Sequence, residues 1–206
     1  MVTTRYKPLV DRLLNPVGMA LARAGVSPSA VTLTGVALTA AACTWLITAR
    51  AVVPFCLVMA VVEGLDAVDG AVARVSGRVT AFGAYLDALC DRYVDGMVAI
   101  AVGIVTGYWV LIAIVLLGSF LVSYAKARAA MEVAVSNREW PDLMERAERS
   151  AVFLLGLMAG ELVPWQPGGR DLFWWTLVVL TVLIHVTVLQ RVWRARAIIG
   201  ARRGSA

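Results

Sequence analysis

Leu65-Asp66-Ala67-Val68-Asp69-Gly70-Ala71-Val72-Ala73-Arg74 closes one long apolar run, and Gly83-Ala84-Tyr85-Leu86-Asp87-Ala88-Leu89-Cys90-Asp91 opens the next. Residues three, four and seven apart share a helix face, so Asp66, Asp69, Gly70 and Ala73 form one stripe. Gly83, Asp87 and Asp91 form another, at successive steps of four. A short turn near Ser76 and Gly77 joins the two helices, which then run antiparallel and can turn their stripes toward each other. Four carboxylates are expected to converge near one depth.

That convergence is costly in an apolar setting. One aspartate at mid-membrane costs about 2.5–3.5 kcal/mol, and four without compensation approach ~10 kcal/mol or more. Unpaired, they would repel one another and take up protons. Divalent cations remove both problems, because hard ions such as Mg²⁺ prefer carboxylate oxygens and keep waters for a phosphate substrate. Two ions roughly 3.5–4 Å apart would clamp the attacking and leaving oxygens of an in-line displacement. Gly70 and Gly83 would let a nucleotide or pyrophosphate lie against helix backbone. Arg74 would add a fixed charge for its phosphates. The competing reading makes the carboxylates solvated loop residues ion-paired to Arg74, Arg78 and Arg92. Glu63 and Asp95 are assigned supporting or packing roles.

The rest of the chain supplies the setting. Its 206 residues are 60% hydrophobic, with a mean hydropathy of +0.78. A soluble domain lies nearer half apolar. Six runs approach the ~20 residues that a spanning helix needs: Val31 to Ala49, Val52 to Val72, Phe82 to Val105, Tyr108 to Ala127, Ala147 to Val163 and Leu172 to Val192. The expectation is an all-α integral membrane protein, one domain over 1–206, with a six-helix bundle over 31–195. Residues 1–25 are expected to form a juxtamembrane amphipathic helix, because Leu9, Leu13, Leu14, Val17 and Leu21 alternate with Lys7, Arg12 and Arg23 from Tyr6 to Ala24. Arg5, Lys7 and Arg12 interrupt the N-terminus, which does not read as a secretory signal.

The net charge of +5 does not point to nucleic acid, since the basic residues gather at the ends of apolar runs. Arg50 and Arg170 are the only Lys or Arg in the outer loops of this arrangement. That bias places both termini and the carboxylate site in the cytoplasm, in a multi-pass protein of the cell membrane. Trp109, Trp165, Trp174 and Trp175 fall on the outer side, as an aromatic belt or as bundle packing. Cys43, Cys56 and Cys90 lie in apolar runs and read as packing residues, as does His185, alone in an apolar span.

Asp66-x-x-Asp69-Gly70-x-x-Ala73-Arg74, eight residues, Gly83, three residues, Asp87, three residues, Asp91 resembles the signature of the CDP-alcohol phosphotransferase family at every fixed position. The resemblance covers nearly the whole chain. It implies a six-helix bundle, a homodimer, and two divalent metal ions (Mg²⁺ first, Mn²⁺ as the alternative) held by Asp66, Asp69, Asp87 and Asp91. Asp87 would bridge the metals and Asp91 would double as the general base. The CDP-lipid would contact Asp69, Gly70, Arg74, Thr80 and Gly83, with Ser29-Ala30-Val31-Thr32 at the start of the first span. Many relatives have Asn or Asp where this chain has Ser29. The implied reaction is attack of an acceptor hydroxyl, deprotonated by Asp91, on the lipid-side phosphorus, with CMP as the leaving group.

The acceptor is read from the later helices. Lys126 and Arg128 end the fourth span, Glu145-Arg146-Ala147-Glu148-Arg149 opens the fifth, and Arg191 ends the sixth. Such a cluster suits an anionic acceptor, unless its members only face lipid headgroups. The Leu86-to-Arg92, Ser-Tyr-x-Lys-Ala-Arg and Glu-Arg-x-Glu-Arg runs are similar to those of phosphatidylinositol-phosphate synthases and of archaeal counterparts. The chain departs from those at Ala130 and Ala147, where they carry Glu and Pro. The resemblance implies CDP-diacylglycerol or CDP-archaeol as donor and inositol phosphate as acceptor, its phosphate on Lys126, Arg146 or Arg149, and Arg191. Glycerol 3-phosphate or another polyol or amino alcohol as acceptor, and a non-enzymatic cation transporter, are the alternatives. The transporter fits less well, because arginines directly follow the carboxylates.

Overall fold

Every long apolar run becomes a helix, and the described residues contain no strand. The structure is a computed structural model that describes residues 15–75, 77, 79–133 and 143–203. Within the helices, the side chains of Asp66, Ala67, Asp69 and residues 201–203 lie outside that description. Residues 15–23 form α1, followed by α2 (Pro28–Ala49), α3 (Val52–Val75), α4 (Ala81–Thr106), α5 (Trp109–Glu132), α6 (Arg146–Leu162) and α7 (Leu172–Arg203). Three of these, α2, α5 and α7 as far as Gly200, are long and apolar enough to cross a membrane. The other three of the expected six form where expected. However, α3 and α4 carry the acidic motif, and α6 has 17 residues. Of the expected N-terminal amphipathic helix, residues 6–14 lie outside the described residues.

Local chemistry sets the helix ends. Ser27 caps α2, its hydroxyl accepting from Ala30 N at 3.2 Å, and Pro28 follows with a φ already suited to a helix. Arg50 ends α2 in the left-handed region at φ 54°, and its N–H donates to Leu46 O. Gly107 ends α4 at φ 75°, where only glycine is unstrained. Asp171 starts α7 by accepting from Trp174 N at 2.8 Å, while its other oxygen accepts from the Tyr108 hydroxyl at 2.8 Å. At 32 residues α7 is about 48 Å long and outruns the ~30 Å hydrocarbon layer, so its helix continues past the apolar run.

The chain divides into two compact units between Gly107 and Tyr108. In the N-terminal unit α2 packs against both α3 and α4. Its buried seam runs through Val31, Gly35, Thr39, Ala42, Cys43 and Leu46. Arg50 Nη1 donates to Val105 O at 2.8 Å and ties the end of α2 to that of α4. In the C-terminal unit α7 packs against both α5 and α6. Positions where a Cβ would overlap its neighbour mark these contacts. At Gly118 it would lie 2.6 Å from Ile184 Cγ2, at Gly156 2.3 Å from Thr176 Cγ2, and at Gly160 2.8 Å from Phe173 Cβ. Phe153 meets Phe173 edge-on, with ring centroids 5.2 Å apart. Cys43, Cys56 and Cys90 are buried in helices, and none of them is in a disulfide.

Candidate active site

The N-terminal unit carries the acidic motif on two helices with different local anchors. On α3, Gly70 lies under its own motif arginine: a Cβ there would come within 3.2 Å of Arg74 Nη1. The glycine thus makes room for the guanidinium. Helix α1 meets the same stretch, since a Cβ at Gly18 would stand 3.1 Å from the backbone carbon of Ala71 and 3.2 Å from Val72 N. Both Ala71 and Val72 are fully buried. Asp66 and Asp69 are placed on α3 by its backbone.

On α4 the first turn is closed by Thr80, whose hydroxyl accepts from Gly83 N at 3.0 Å. Thr80, expected at the nucleotide, therefore fixes where α4 begins, and with it the positions of Asp87 and Asp91. One oxygen of Asp87, Oδ1, is buried. Arg92 Nη2 stands 3.6 Å from Asp91 Oδ2 and 3.4 Å from Asp95 Oδ2. Asp95 thus balances the charge of Arg92 from one turn beyond Asp91. At the other nucleotide segment, Ser27 rather than Ser29 caps α2, and the Thr32 hydroxyl turns back to Pro28 O at 3.2 Å. Val31 is buried, whereas Ser29 and Ala30 occupy the first turn, whose N–H groups form the positive end of the helix.

The donor set suits a hard divalent cation. Two carboxylates one turn apart on α4, one with an oxygen withdrawn from water, offer oxygen ligands only. Among the described residues no three potential ligands cluster, and the remaining expected ligands, Asp66 and Asp69, have side chains outside that description.

The C-terminal unit gathers basic residues at one end. Gly118 meets Ile184 and Val122 meets Arg191, so α5 and α7 run in the same direction. Gly156 meets Thr176 and Gly160 meets Phe173, so α6 runs against them. The last turns of α5, the first of α6 and the Arg191 region of α7 consequently share an end. Arg191 is 5% exposed and donates Nη1 to Val122 O, one turn before Lys126. Arg149 is 6% exposed and folds back along α6, donating Nη1 to Met144 O at 3.1 Å. Arg146 has its Nε buried.

The glutamates of the Glu-Arg-x-Glu-Arg run do a different job from its arginines: Glu148 Oε2 accepts from Glu145 N at 3.0 Å and closes the helix start. Arg128 is half-exposed and pairs with Glu132 at 2.7 Å, which separates it from the buried arginines. His185 bonds Thr181 O through Nδ1 at 2.9 Å, and a Cβ at Gly118 would lie 2.9 Å from its Cε1. That is a packed position.

Sequence reasoning missed two contributors: α2 as the helix that packs against both motif helices, and Gly18 as the contact on α3. Neither had a local signal, whereas Asp95, assigned a supporting or packing role, pairs with Arg92 at i, i+3.

Known proteins resemble the chain in sequence and in structure. Archaetidylinositol phosphate synthase of Pyrococcus horikoshii is 30% identical over 204 residues, covering 94% of this chain and 96% of that protein. Phosphatidylinositol phosphate synthase of Mycobacterium tuberculosis is 35% identical over 196 residues, covering 88% and 86%. The crystal structure of the Mycobacterium tuberculosis phosphatidylinositol phosphate synthase with CDP-DAG bound matches at a TM-score of 0.78 and 29% identity, covering 90% of this chain and 94% of that one. The structure of that enzyme with manganese and citrate matches at 0.77, covering 88% of each. The family model for CDP-alcohol phosphatidyltransferase matches residues 25–186. The chain belongs to the CDP-alcohol phosphatidyltransferase family.

Proposed function

We propose that this enzyme transfers a phosphatidyl-type group from a CDP-linked lipid to inositol phosphate and releases CMP. The observation that carries the acceptor is the burial of Arg149 and Arg191 at one end of the C-terminal unit. Two long basic side chains drawn to one end of one unit make an electropositive place that suits an anionic acceptor over a neutral one. The relatives named for inositol phosphate products support the same choice.

In the N-terminal unit, Asp66, Asp69, Asp87 and Asp91 are the proposed ligands of two divalent cations, Mg²⁺ first. Bound there, such ions would neutralise developing phosphate charge and lower the pKa of the attacking hydroxyl. Asp91 takes the hydroxyl proton, while Arg92 keeps its carboxylate oriented. Arg74, lying across Gly70, holds the donor's phosphates, and the N–H groups that open α2 add their dipole. Lys126, Arg146, Arg149 and Arg191 hold the acceptor's phosphate. The proposal includes six membrane spans, a homodimer, and a site facing the cytoplasm of the cell membrane.

The test is CMP release by purified protein given a CDP-lipid, Mg²⁺ and one acceptor at a time. Release with inositol phosphate, and its loss on chelation, is the expected result. Release with glycerol 3-phosphate alone would overturn the acceptor, and cation flux without CMP would overturn the reaction.

A further inference from the structure

Gln190 precedes Arg191 on α7 and stands one turn before Arg194. Its carboxamide oxygen Oε1 is buried and has no hydrogen-bond donor among the described residues. A buried carbonyl without a donor bears the full desolvation cost of the group, and a leucine at the same position would bear none. Donors dominate the adjoining sequence: Arg191 Nη1 reaches Val122 O, and Arg194 also has a buried guanidinium nitrogen, Nη1. What α7 offers at Gln190 is an acceptor, next in sequence to Arg191 and one turn from Arg194.

Helix geometry gives the two groups separate tasks. Consecutive residues are offset by about 1.5 Å along the axis and about 100° around it. Gln190 and Arg191 therefore work at one depth in different directions. A ligand with its phosphate on the arginines would project its carbon skeleton sideways, and hydroxyls on that skeleton are donors. We propose that Gln190 is a specificity-determining residue of the acceptor site: Oε1 accepts a hydrogen bond from a ring hydroxyl of the polyol phosphate whose phosphate lies on Arg149 and Arg191. This rests on the acceptor reading above. It adds the means by which a polyol phosphate is told from phosphate itself, because a site built to pair a hydroxyl rejects ligands that lack one.

The experiment uses the full-length protein and Gln190→Leu, which keeps bulk and removes the acceptor oxygen. The expected result is a rise of about tenfold in KM for inositol phosphate, with kcat and the KM for CDP-lipid within about twofold. Inhibition by inorganic phosphate, which engages the arginines alone, should be unchanged. The thermal unfolding midpoint should stay equal or rise, since a buried orphan oxygen has been removed.

An unchanged KM would overturn the proposal. So would weaker inhibition by phosphate in step with KM, which would make Gln190 a support for the arginines. A lower midpoint would mean that Oε1 is satisfied within the protein, and would also overturn it. If wild-type enzyme releases CMP only with another polyol phosphate, the inositol reading fails, and the same measurements with that acceptor decide the role of Gln190.

Discussion

The two units place charge in opposite ways, and they differ in how much room some of their helix glycines have. In the N-terminal unit, Gly18 packs against α3, but Gly64 and Gly96 lie inside helices with nothing among the described residues within 4 Å of where a Cβ would be, and the charges on α3 and α4 are mainly acidic. In the C-terminal unit, Gly118, Gly156 and Gly160 stand where a Cβ would collide with α7, and the buried charges are Arg149 and Arg191. Side-chain reach explains the contrast. An aspartate acts within a few ångströms of its own helix, so a ligand must come up to the helix surface. An arginine carries its charge on a long stem, so its helix can pack tightly and still deliver the charge elsewhere.

The largest expected effect sharpens the acidic half of that contrast. Asp91→Asn should lower CMP release by about 10²–10⁴-fold if the carboxylate is the general base, with an unchanged unfolding profile. An effect under tenfold would return the α4 carboxylates to a structural role. On the basic side, Arg191→Gln removes a charge-assisted bond of about 1.5–3 kcal/mol. It should raise KM for inositol phosphate some 10–100-fold, with a smaller change in KM for the lipid donor. Equal losses for both substrates would count against a dedicated acceptor role.

Stability should divide along the same line. Gly156→Ala places a methyl 2.3 Å from Thr176 Cγ2 and 2.6 Å from Thr176 Cβ. The α6–α7 contact must open, at a cost of about 1–3 kcal/mol, read as a lower unfolding midpoint. The smallest effect has the opposite sign. Gly96→Ala meets nothing within 4 Å among the described residues and should gain about 0.5–1 kcal/mol from helix propensity. If both substitutions destabilise alike, the open glycines of the N-terminal unit have a partner, and the contrast fails.

Much of this was legible in the chain because long apolar helices announce themselves locally. The expected span Val52 to Val72 becomes Val52–Val75, and Phe82 to Val105 becomes Ala81–Thr106. Apolar length sets the helix, and caps such as Thr80 and Gly107 set its ends. Helix α7 ran further than expected, to Arg203 rather than Val192, because hydropathy stops at the first arginines while helical hydrogen bonding does not. The basic residues were legible as a class but not as individuals. Arg128 and Arg149 look alike in sequence, yet one pairs with Glu132 at the surface and the other is buried against Met144 O. Their difference comes from where each guanidinium turns, one to a glutamate on its own helix and the other to a backbone carbonyl just before α6.

The sequence by itself determined the helices, the acidic motif and its spacing, since these depend on periodicity over a few turns of chain. Only the tertiary structure decided that α2 packs against both motif helices, that Gly18 touches α3 at Ala71, and that Gln190 keeps a buried oxygen. Those facts depend on contacts between residues far apart in the chain, and on which atoms packing removes from water. Neither follows from residue order until the helices have met.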